Sequence, residues 1–301
     1  MIRAKEIWMK PDVASRYHAR MQRVLSYIDE HLDDELDADL LSGVAAFSKY
    51  HFHRQFTSLF GISIHRYVQL LRLQRASYRL AFASDPVLEV ALESGYGGPE
   101  AFARAFKLHH DQSPTSFRNA PQWTRWHETY QSLNRARSAV MQPAFTDNDV
   151  RIIQFPETPV AILTHQGDPK LLGDTIRRFI GWRKANGLSP KKSATFNLLH
   201  TDPETTEPAE YRLGLCCATD RVDANDSGVV AGVLSAGRCA TLRLIGNPHD
   251  LRPAVQFLYG DWLPRSGLEL RDHPIFVQRV TLYPEVPEHE AITDIFLPLV
   301  V

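Results

Sequence analysis

The sequence predicts an all-α N-terminal domain of two helix-turn-helix units joined by a long helix, followed by an α+β C-terminal domain of two strand-helix-strand-strand repeats related by a pseudo-twofold axis. Three observations lead to this fold class: the first third repeats itself every 50 residues, residues 63–82 lack Gly and Pro, and short β-branched runs begin near residue 150. We expect the first domain over 15–129, a linker over 130–149 and the second domain over 150–301.

The 50-residue repeat aligns residues 40–68 with residues 90–118 without a gap. Five positions of the first copy match five of the second: Phe52, Arg54, Phe56, Ser63 and Tyr67 fall opposite Phe102, Arg104, Phe106, Ser113 and Phe117. The unit is too short and too polar to fold alone, so we expect two packed copies of one helix-turn-helix.

Each copy predicts a second helix with one apolar face. Ser48 is a good N-cap for that helix in the first copy, and Phe52, Phe56 and Leu59 follow at helical spacing, so we expect them to face the core. Other residues of this helix and of its counterpart then point outward: Tyr50, His53 and Arg54 in the first copy, and Glu100, Ala103 and Arg104 in the second. One such hairpin can be a mere packing unit, whereas two copies in register favour DNA binding.

The stretch 63–82 between the copies carries apolar residues at Tyr67, Leu70, Leu71 and Leu80 and predicts one long, stiff helix. A stiff joint fixes the distance between the two exposed helices. Two such helices about 34 Å apart can enter successive major-groove segments on one face of a duplex. One polypeptide could then bind DNA in the way that a dimer usually does.

Charge supports DNA binding locally and not globally. The net charge of −1 and the pI of about 6.9 argue by themselves against a nucleic-acid partner. Between Ser42 and Ser84, however, no acid occurs and six basic residues do: Lys49, Arg54, Arg66, Arg72, Arg75 and Arg79. Because a solvated helix face normally mixes both signs, this stretch predicts phosphate neutralisation.

Residues 21–118 resemble the DNA-binding domain of AraC/XylS-type transcription regulators, through the motifs VALESGY, F-x-R-x-F-K and SPTSFR. The resemblance implies base contacts from Tyr50, His53, Arg54, Glu100, Ala103 and Arg104, and phosphate contacts from Lys49, Arg72 and Lys107. Arginine can bind guanine through two hydrogen bonds, and glutamate can accept one from cytosine. The implied partners are a double-stranded DNA operator and RNA polymerase.

Two residues depart from the family pattern. Asp111 stands where many relatives have Gly in the turn after the second exposed helix, and Asp tolerates the left-handed conformation better than most residues. Pro99 replaces a polar residue at the start of that helix. Proline fits the first helical turn but donates nothing to a base or a phosphate, so we expect the second unit to read sequence less stringently than the first.

Residues after 118 lose the repeat. Trp123 and Trp126 are expected to pack a terminal helix onto the first domain.

From residue 150, six short apolar runs predict strands: RIIQF, VAILTH, YRLGLCCA, GRCATLRL, IFVQRVTL and TDIFLPLV. Helical stretches at 170–184 and 250–263 separate them, and residues about 80 apart match, such as Trp182 with Trp262. Two such units would meet at a groove suited to a ligand.

Residues 150–301 resemble the GyrI-like effector-binding domain, most clearly in WLPRSGLEL and TDIFLPL. The resemblance implies binding of a small, hydrophobic, often aromatic or cationic compound. Many relatives carry Glu after the Pro-x-Phe of the penultimate strand, where this chain has Val277 and Gln278, so a strongly cationic ligand loses its expected partner. The effector-binding candidates are Trp182, Phe196, Tyr211, Tyr259, Trp262 and Glu269; core packing is the alternative for the tryptophans, and a solvent-side position is the alternative for Glu269.

Other chemistry is disfavoured by the sequence. Cys216, Cys217 and Cys239 lack metal-ligand spacing and fit buried thiols of a reduced compartment, and no metal, cofactor or catalytic motif is expected. The start MIRAKEIWMK has no apolar run, and no 18-residue apolar stretch occurs, so we expect a cytoplasmic protein without a membrane partner.

The function predicted is a sequence-specific DNA-binding transcription regulator that responds to a small hydrophobic or aromatic effector and is not an enzyme. One alternative is a DNA-binding module fused to a small-molecule hydrolase or toxin-sequestering domain, with Glu269 as a weak general base. A second alternative, an architectural DNA binder, predicts no pocket and little preference among DNA sequences.

Overall fold

The computed structural model describes residues 11–141, 143–247, 251–283 and 285–300. The first half is helical and the second half combines an antiparallel sheet with helices, which confirms the predicted fold class. The segment MIRAKEIWMK, on which part of the expected localisation depends, lies outside the described residues.

The helices of the first half follow one another through short turns. They are α1 (Pro11–Glu30), α2 (Ala38–Val44), α3 (Lys49–Phe60), α4 (Ile64–Phe82), α5 (Val87–Glu93), α6 (Pro99–His110), α7 (Pro114–Asn119) and α8 (Trp123–Val140). The first helix-turn-helix unit is α2 with α3 and the second is α5 with α6. Helix α4 joins them as predicted, and its 19 residues give a rod about 28 Å long.

Local chemistry explains where these helices begin and end. Ser48 and Ser63 cap α3 and α4 by accepting hydrogen bonds from backbone amides three residues later. Pro99 occupies the first turn of α6, where its missing N–H costs nothing. Gly61 and Asp111 end α3 and α6 in the left-handed conformation, with φ of 69° and 56°, so Asp111 takes the conformation expected of it.

The buried face of α3 differs from the expectation at one residue. Phe52 and Phe56 are fully buried as predicted, but Leu59 is 47% exposed. Phe60 is buried instead and stacks on Phe56 with ring centroids 4.5 Å apart. The stripe therefore runs i, i+4, i+8, which follows the slow drift of a 3.6-residue helix when its partner, α4, crosses at the C-terminal end.

Helix α8 extends through half of the stretch 130–149, which was expected to be an exposed linker. Its buried residues recur every three or four positions: Trp123, Trp126, Tyr130, Leu133, Arg137 and Val140. The buried indoles confirm that the tryptophans pack this helix onto the first domain. The periodicity was hidden in the sequence because one buried position is an arginine.

The second half forms one eight-stranded antiparallel sheet. Its strands are β1 (Val150–Phe155), β2 (Thr158–Gln166), β3 (Thr195–Leu199), β4 (Arg212–Ala218), β5 (Val230–Leu234), β6 (Gly237–Ile245), β7 (Ile275–Arg279) and β8 (Ile292–Pro298). Helix α9 (Leu172–Ala185) lies between β2 and β3. The corresponding helix between β6 and β7 is α10 (Arg252–Gln256), a π-helical segment (Phe257–Trp262) and α11 (Leu263–Ser266).

The strand order β1-β6-β8-β7-β3-β4-β2-β5 shows how the two repeats combine. Strands β3 and β7 pair at the centre, with β4 and β2 on one side and β8 and β6 on the other. Each repeat also has a leading strand, absent from the predicted strand-helix-strand-strand unit, that crosses over: β1 pairs with β6, and β5 pairs with β2. These crossovers tie the two repeats into one sheet.

The sheet carries hydrophobic clusters on both of its faces. The helices cover one face in two hydrophobic clusters, one around α9 and one around the α10–α11 segment. The other face carries a cluster that includes Phe155, Phe196, Phe276 and Phe296. Cys216 and Cys217 lie in clusters on opposite faces, as the alternation of strand side chains requires.

Candidate DNA interface and small-molecule site

The outward face of α3 carries the three residues predicted to contact bases in the first unit. Tyr50 is 61% exposed, and His53 and Arg54 are exposed beside it. The guanidinium of Arg54 lies over the Tyr50 ring, 4.6 Å from its centroid. This cation–π contact holds the arginine extended along the helix surface while its N–H groups stay available to a partner.

The outward face of α6 is built in the same way around a different set of side chains. Glu100, Arg104 and Lys107 are exposed, and Ala103 is half-buried between them. Arg54 and Arg104, at matching positions of the two units, are therefore both accessible, while the phenylalanines two residues on either side are buried. The arrangement presents one arginine per unit to a partner.

The residues predicted to contact phosphates divide into two groups. Lys49 is exposed and pairs with the exposed Asp39 at 2.8 Å, a contact that a phosphate can replace at little cost. Arg72 is half-buried, and it donates from Nε to the carbonyl of Leu32 at 2.9 Å and from Nη2 to that of Asp34 at 2.6 Å. Arg72 therefore holds the connection between α1 and α2, and burial lowers its pKa.

The acid-free stretch 42–84 is less available to phosphates than its composition indicates. Arg75 pairs with Asp33, and Arg79 pairs with Asp85 at 2.7 Å and also with Glu93. The acids come from segments before and after the stretch, so a count of charges within it overstated its free positive charge. The exposed basic residues of α3 and α6 are therefore the chief source of free positive charge for phosphate contacts.

The six residues predicted to bind an effector do not come together. Trp182 and Tyr211 belong to the cluster around α9, Trp262 belongs to the cluster around α10–α11, and Phe196 lies on the opposite face of the sheet. Trp182 stacks on Phe179, and its burial fits the core role considered for it in the sequence. The two remaining residues are exposed: Tyr259 and Glu269.

A polar cluster at the centre of the sheet was missed in the sequence. Arg279 of β7 donates from Nε to Oδ1 of Asn197 on β3 at 2.9 Å, and from Nη1 to Oγ1 of Thr293 on β8 at 3.2 Å. Burial lowers the pKa of Arg279 to about 10. It follows Val277 by two positions and so lies on the same face of the sheet. The sequence signal that could have revealed this cluster is the presence of Arg279 and Asn197 in otherwise apolar strands.

One set of contacts between the helical domain and the sheet domain involves α9. Trp123 donates from Nε1 to Oδ1 of Asp174 at 2.9 Å, and its ring lies against Gly173. Arg177 donates from Nη2 to the carbonyls of Arg118 and Asn119, at 2.9 and 3.0 Å. These contacts connect α7 and α8 of the helical domain to α9, the helix that covers the first repeat of the sheet.

Arg137 of α8 makes a second connection between the domains. It donates from Nη1 to the hydroxyl of Tyr67 at 3.0 Å and from Nη2 to Asp29, and Nη2 lies 3.5 Å from Oε1 of Glu288 in the loop before β8. Burial raises the pKa of both carboxyl groups, and the neighbouring guanidinium opposes that rise. The guanidinium of Arg137 thus connects α1 and α4 of the helical domain to the sheet domain.

Among the described residues, no group of three His, Cys, Asp or Glu side chains is arranged to hold a metal ion. None of the described helices is both long enough and apolar enough to cross a membrane.

A family model for the GyrI-like small molecule binding domain matches residues 148–300, and a model for a helix-turn-helix domain matches residues 41–120. The chain belongs to the GyrI-like family. Its first half is an AraC-type helix-turn-helix domain, so the protein has the architecture of a DNA-binding transcription regulator with a small-molecule binding domain.

Individual proteins are similar over one or both halves of this GyrI-like chain. The probable transcriptional regulator YgiV of Escherichia coli K12 is 39% identical over 153 residues, which cover 50% of this chain and 96% of that protein. The right origin-binding protein of the same organism is 24% identical over 256 residues, or 82% of this chain and 86% of that protein. The cryo-EM structure of an EcmrR–DNA complex has 14% identity, covers 87% of this chain and 98% of that chain, and gives a TM-score of 0.42.

Proposed function

We propose that this protein binds a double-stranded DNA operator through α3 and α6, and that a small hydrophobic or aromatic compound bound in its GyrI-like domain changes that binding. The observation that carries the proposal is the matched exposure of Arg54 and Arg104 on two quasi-equivalent helices held by one continuous helix, α4. Arg54 is the base-reading residue of the first unit and Arg104 that of the second.

The roles of the neighbouring residues follow from their exposure. Tyr50 and His53 flank Arg54 and would complete a three-residue base contact, while Glu100 would accept a hydrogen bond from cytosine in the second unit. Lys49 and Lys107 would neutralise phosphates at the edges of the two helices. RNA polymerase is the protein partner that we propose, because a regulator bound beside a promoter acts by changing polymerase binding or opening.

The centre of the sheet carries a buried cation. Arg279 donates hydrogen bonds to the neutral side chains of Asn197 and Thr293. We propose a small hydrophobic or aromatic effector bound in the GyrI-like domain, and its charge is decided by comparing neutral, acidic and basic compounds.

Coupling between the domains would pass through α8. This helix packs on both helix-turn-helix units and contacts the sheet domain through Trp123 and Arg137. An effector that moves α9 against the sheet would act on Asp174 and hence on Trp123. Such a compound changes DNA affinity only by the difference between its affinities for the two domain arrangements.

The test starts from a DNA sequence selected from a random pool by the purified full-length chain. Fluorescence anisotropy then gives the affinity for the selected and for a scrambled duplex, with and without a panel of neutral, acidic and basic aromatic compounds. We expect the selected duplex to bind at least 100-fold more tightly and at least one of the aromatic compounds to change that ratio. Equal affinity for both duplexes would refute sequence reading, and no change across the panel would refute effector sensing.

We further propose that the protein has no hydrolase activity. A hydrolytic site of the expected kind needs a carboxylate against an aromatic wall, and Glu269 is exposed and outside the aromatic clusters. Turnover of activated esters or epoxides by the full chain, lost on Glu269→Gln, would contradict this proposal.

A further inference from the structure

Two neighbouring cavities lie along the boundary between the helical and sheet domains. The larger, about 300 Å³, opens beside Asp29, and the smaller, about 150 Å³, is bounded by Tyr78 and Trp126. Arg137, Glu288 and Asn247 line both cavities and form the wall between them. Because side chains from both domains line each cavity, neither exists without the docked arrangement.

Among the described residues, carboxyl groups outnumber guanidinium groups at this wall. Asp29 and Glu288 both lie beside the guanidinium of Arg137, and the exposed side-chain fractions of the three residues are 9%, 22% and 7% respectively. Arg137 uses its short hydrogen bonds on Asp29 and on the hydroxyl of Tyr67. Its contact with Glu288 is 3.5 Å, longer than the 2.7–2.9 Å usual for a charge-assisted pair. Of the two carboxyl groups, Glu288 therefore has the weaker contact with Arg137, and it lines both cavities whereas Asp29 lines one.

The smaller cavity adds an aromatic wall next to this carboxyl group. The rings of Tyr78 and Trp126 meet edge to face with centroids 5.2 Å apart, and Trp126 is held by a hydrogen bond from Nε1 to Oγ of Ser77. Ring faces attract organic cations, and more so where water is excluded. Among the described residues, the other titratable groups that line the two cavities are His127, Glu30 and His289. Nδ1 of His289 is buried without a hydrogen-bond partner in that part of the chain.

The two repeats of the sheet domain show that this carboxyl group belongs to one repeat alone. A short 3-10 turn precedes the last strand of each repeat, at Pro208–Glu210 and at Glu288–Glu290. Glu288 therefore corresponds to Pro208, which is exposed and carries no charge. The second repeat therefore has Glu288 where it meets the helical domain, and the first repeat has no acid at the equivalent position.

We propose that the boundary between the domains is a binding site for a monovalent organic cation with an aromatic body. An ammonium or amidinium group would bind Glu288 and neutralise the excess negative charge, and the aromatic body would pack against Tyr78 and Trp126 in the smaller cavity. The site is separate from the centre of the sheet around Arg279, which lines neither cavity. A compound bound here contacts both domains and so stabilises their docked arrangement.

The experiment titrates the full-length chain with benzamidinium, its neutral isostere benzamide and the anion benzoate, by calorimetry at pH 7. We expect saturable one-to-one binding of benzamidinium and at least tenfold weaker binding of the other two compounds. Glu288→Gln, which keeps the shape of the side chain and removes its charge, should weaken benzamidinium binding at least tenfold. Glu290→Gln is the matched control on the same turn, because Glu290 is exposed and lines neither cavity.

Asn134→Trp provides an independent variant that fills the smaller cavity from the partly exposed side of α8, and it should abolish benzamidinium binding. Circular dichroism of each variant checks that it is folded. The proposal is overturned if benzamidinium does not saturate the wild-type protein below 10 mM, if benzamide binds equally well, or if Glu288→Gln and Glu290→Gln behave alike. Effector response and operator binding measured on Glu288→Gln are separate readouts, so the failure of this site leaves the proposed function to its own test.

Discussion

His110 occupies, in the second helix-turn-helix unit, the position that Phe60 occupies in the first. Each ring stacks on a phenylalanine one turn earlier, His110 on Phe106 at 3.9 Å and Phe60 on Phe56 at 4.5 Å. The imidazole adds two hydrogen bonds: Nδ1–H donates to the Phe106 carbonyl, and Nε2 accepts from the hydroxyl of Tyr130, both at 2.9 Å. Burial keeps this ring neutral and lowers its pKa to about 4.

The buried imidazole predicts a loss of stability in acid. Since the folded-state pKa of His110 lies below the unfolded value of about 6.5, the unfolded chain binds more protons between pH 6.5 and 4. The contribution of His110 is complete above pH 6.5 and falls as the pH drops through 4, by roughly 3 kcal/mol in all. His110→Gln should therefore flatten the pH dependence of the free energy of unfolding over this window.

Urea unfolding at several pH values measures this effect. His51→Gln is the control, because His51 sits on the exposed face of α3 and should leave the pH dependence as it is. Identical slopes for the wild-type protein and His110→Gln between pH 4 and 6.5 would show that His110 is not held neutral by the fold.

Sequence periodicity predicted the helical domain well because the same unit occurs twice. Phe52 and Phe102 marked the buried faces, and Ser48 and Ser63 marked the helix starts. One error is the exchange of Leu59 for Phe60 on the buried face of α3, and the other occurred where a buried position carries a polar residue. Arg137 interrupts the apolar pattern of α8, and a helix was therefore read as a linker.

The first unit is expected to depend on Arg54 for base choice. Arg54→Ala should weaken the selected duplex by about 1–3 kcal/mol and relax selectivity at one base pair, with little effect on a scrambled duplex. Arg72→Ala should act differently, because its guanidinium binds the carbonyls of Leu32 and Asp34. We expect Arg72→Ala to lower the free energy of unfolding by about 1–3 kcal/mol, as two backbone acceptors lose a charged donor.

Anisotropy titrations over a range of salt concentrations, together with urea unfolding, separate these two roles. Equal losses on selected and scrambled DNA for Arg54→Ala would contradict base reading. A reduced salt slope for Arg72→Ala with unchanged stability would instead support the phosphate contact that the family resemblance implies.

The second unit is expected to read sequence less stringently. Pro99 begins α6 without a donor, and Ala103 offers only a methyl group between Glu100 and Arg104. Arg104→Ala should therefore cost less specific affinity than Arg54→Ala, at about half the free energy. Binding sites selected from a random pool give the information content of each half-site, which compares the selectivity of the two units directly. A second half-site as strongly specified as the first would contradict this prediction.

The arrangement of the candidate effector-binding residues was harder to predict because the sheet mixes the two repeats. Strands β1 and β5 cross to the opposite repeat, and the five-residue β5 contains Gly232 and Ala231, which are poor strand formers. Without the strand order, Trp182 and Trp262 could not be separated into different clusters. The polar residues that do meet, Arg279 and Asn197, lie 82 positions apart and become neighbours only through the pairing of β3 with β7.

Docking of the two domains depends on the absence of a side chain at Gly173. A Cβ there would lie 2.2 Å from Cε2 of Trp123, so Gly173→Ala must displace the indole and break its hydrogen bond to Asp174. Gly181 lies on the same helix with nothing within 4 Å of an added Cβ. Because Gly→Ala inside a helix stabilises by about 1 kcal/mol on propensity alone, Gly181→Ala should raise the stability and Gly173→Ala should lower it by about 1–3 kcal/mol.

Thermal unfolding of the two variants gives the stabilities, and small-angle scattering gives the separation of the domains. If Gly173→Ala undocks the domains, the radius of gyration increases, and benzamidinium binding at the boundary weakens with it, whereas Gly181→Ala changes neither. Equal melting temperatures and equal radii for the two variants would mean that the indole can move aside without loss. Since the ring of Trp123 is also stacked on Phe82 and packed against Phe117, such movement would disturb the core of the helical domain, and we expect the domains to separate first.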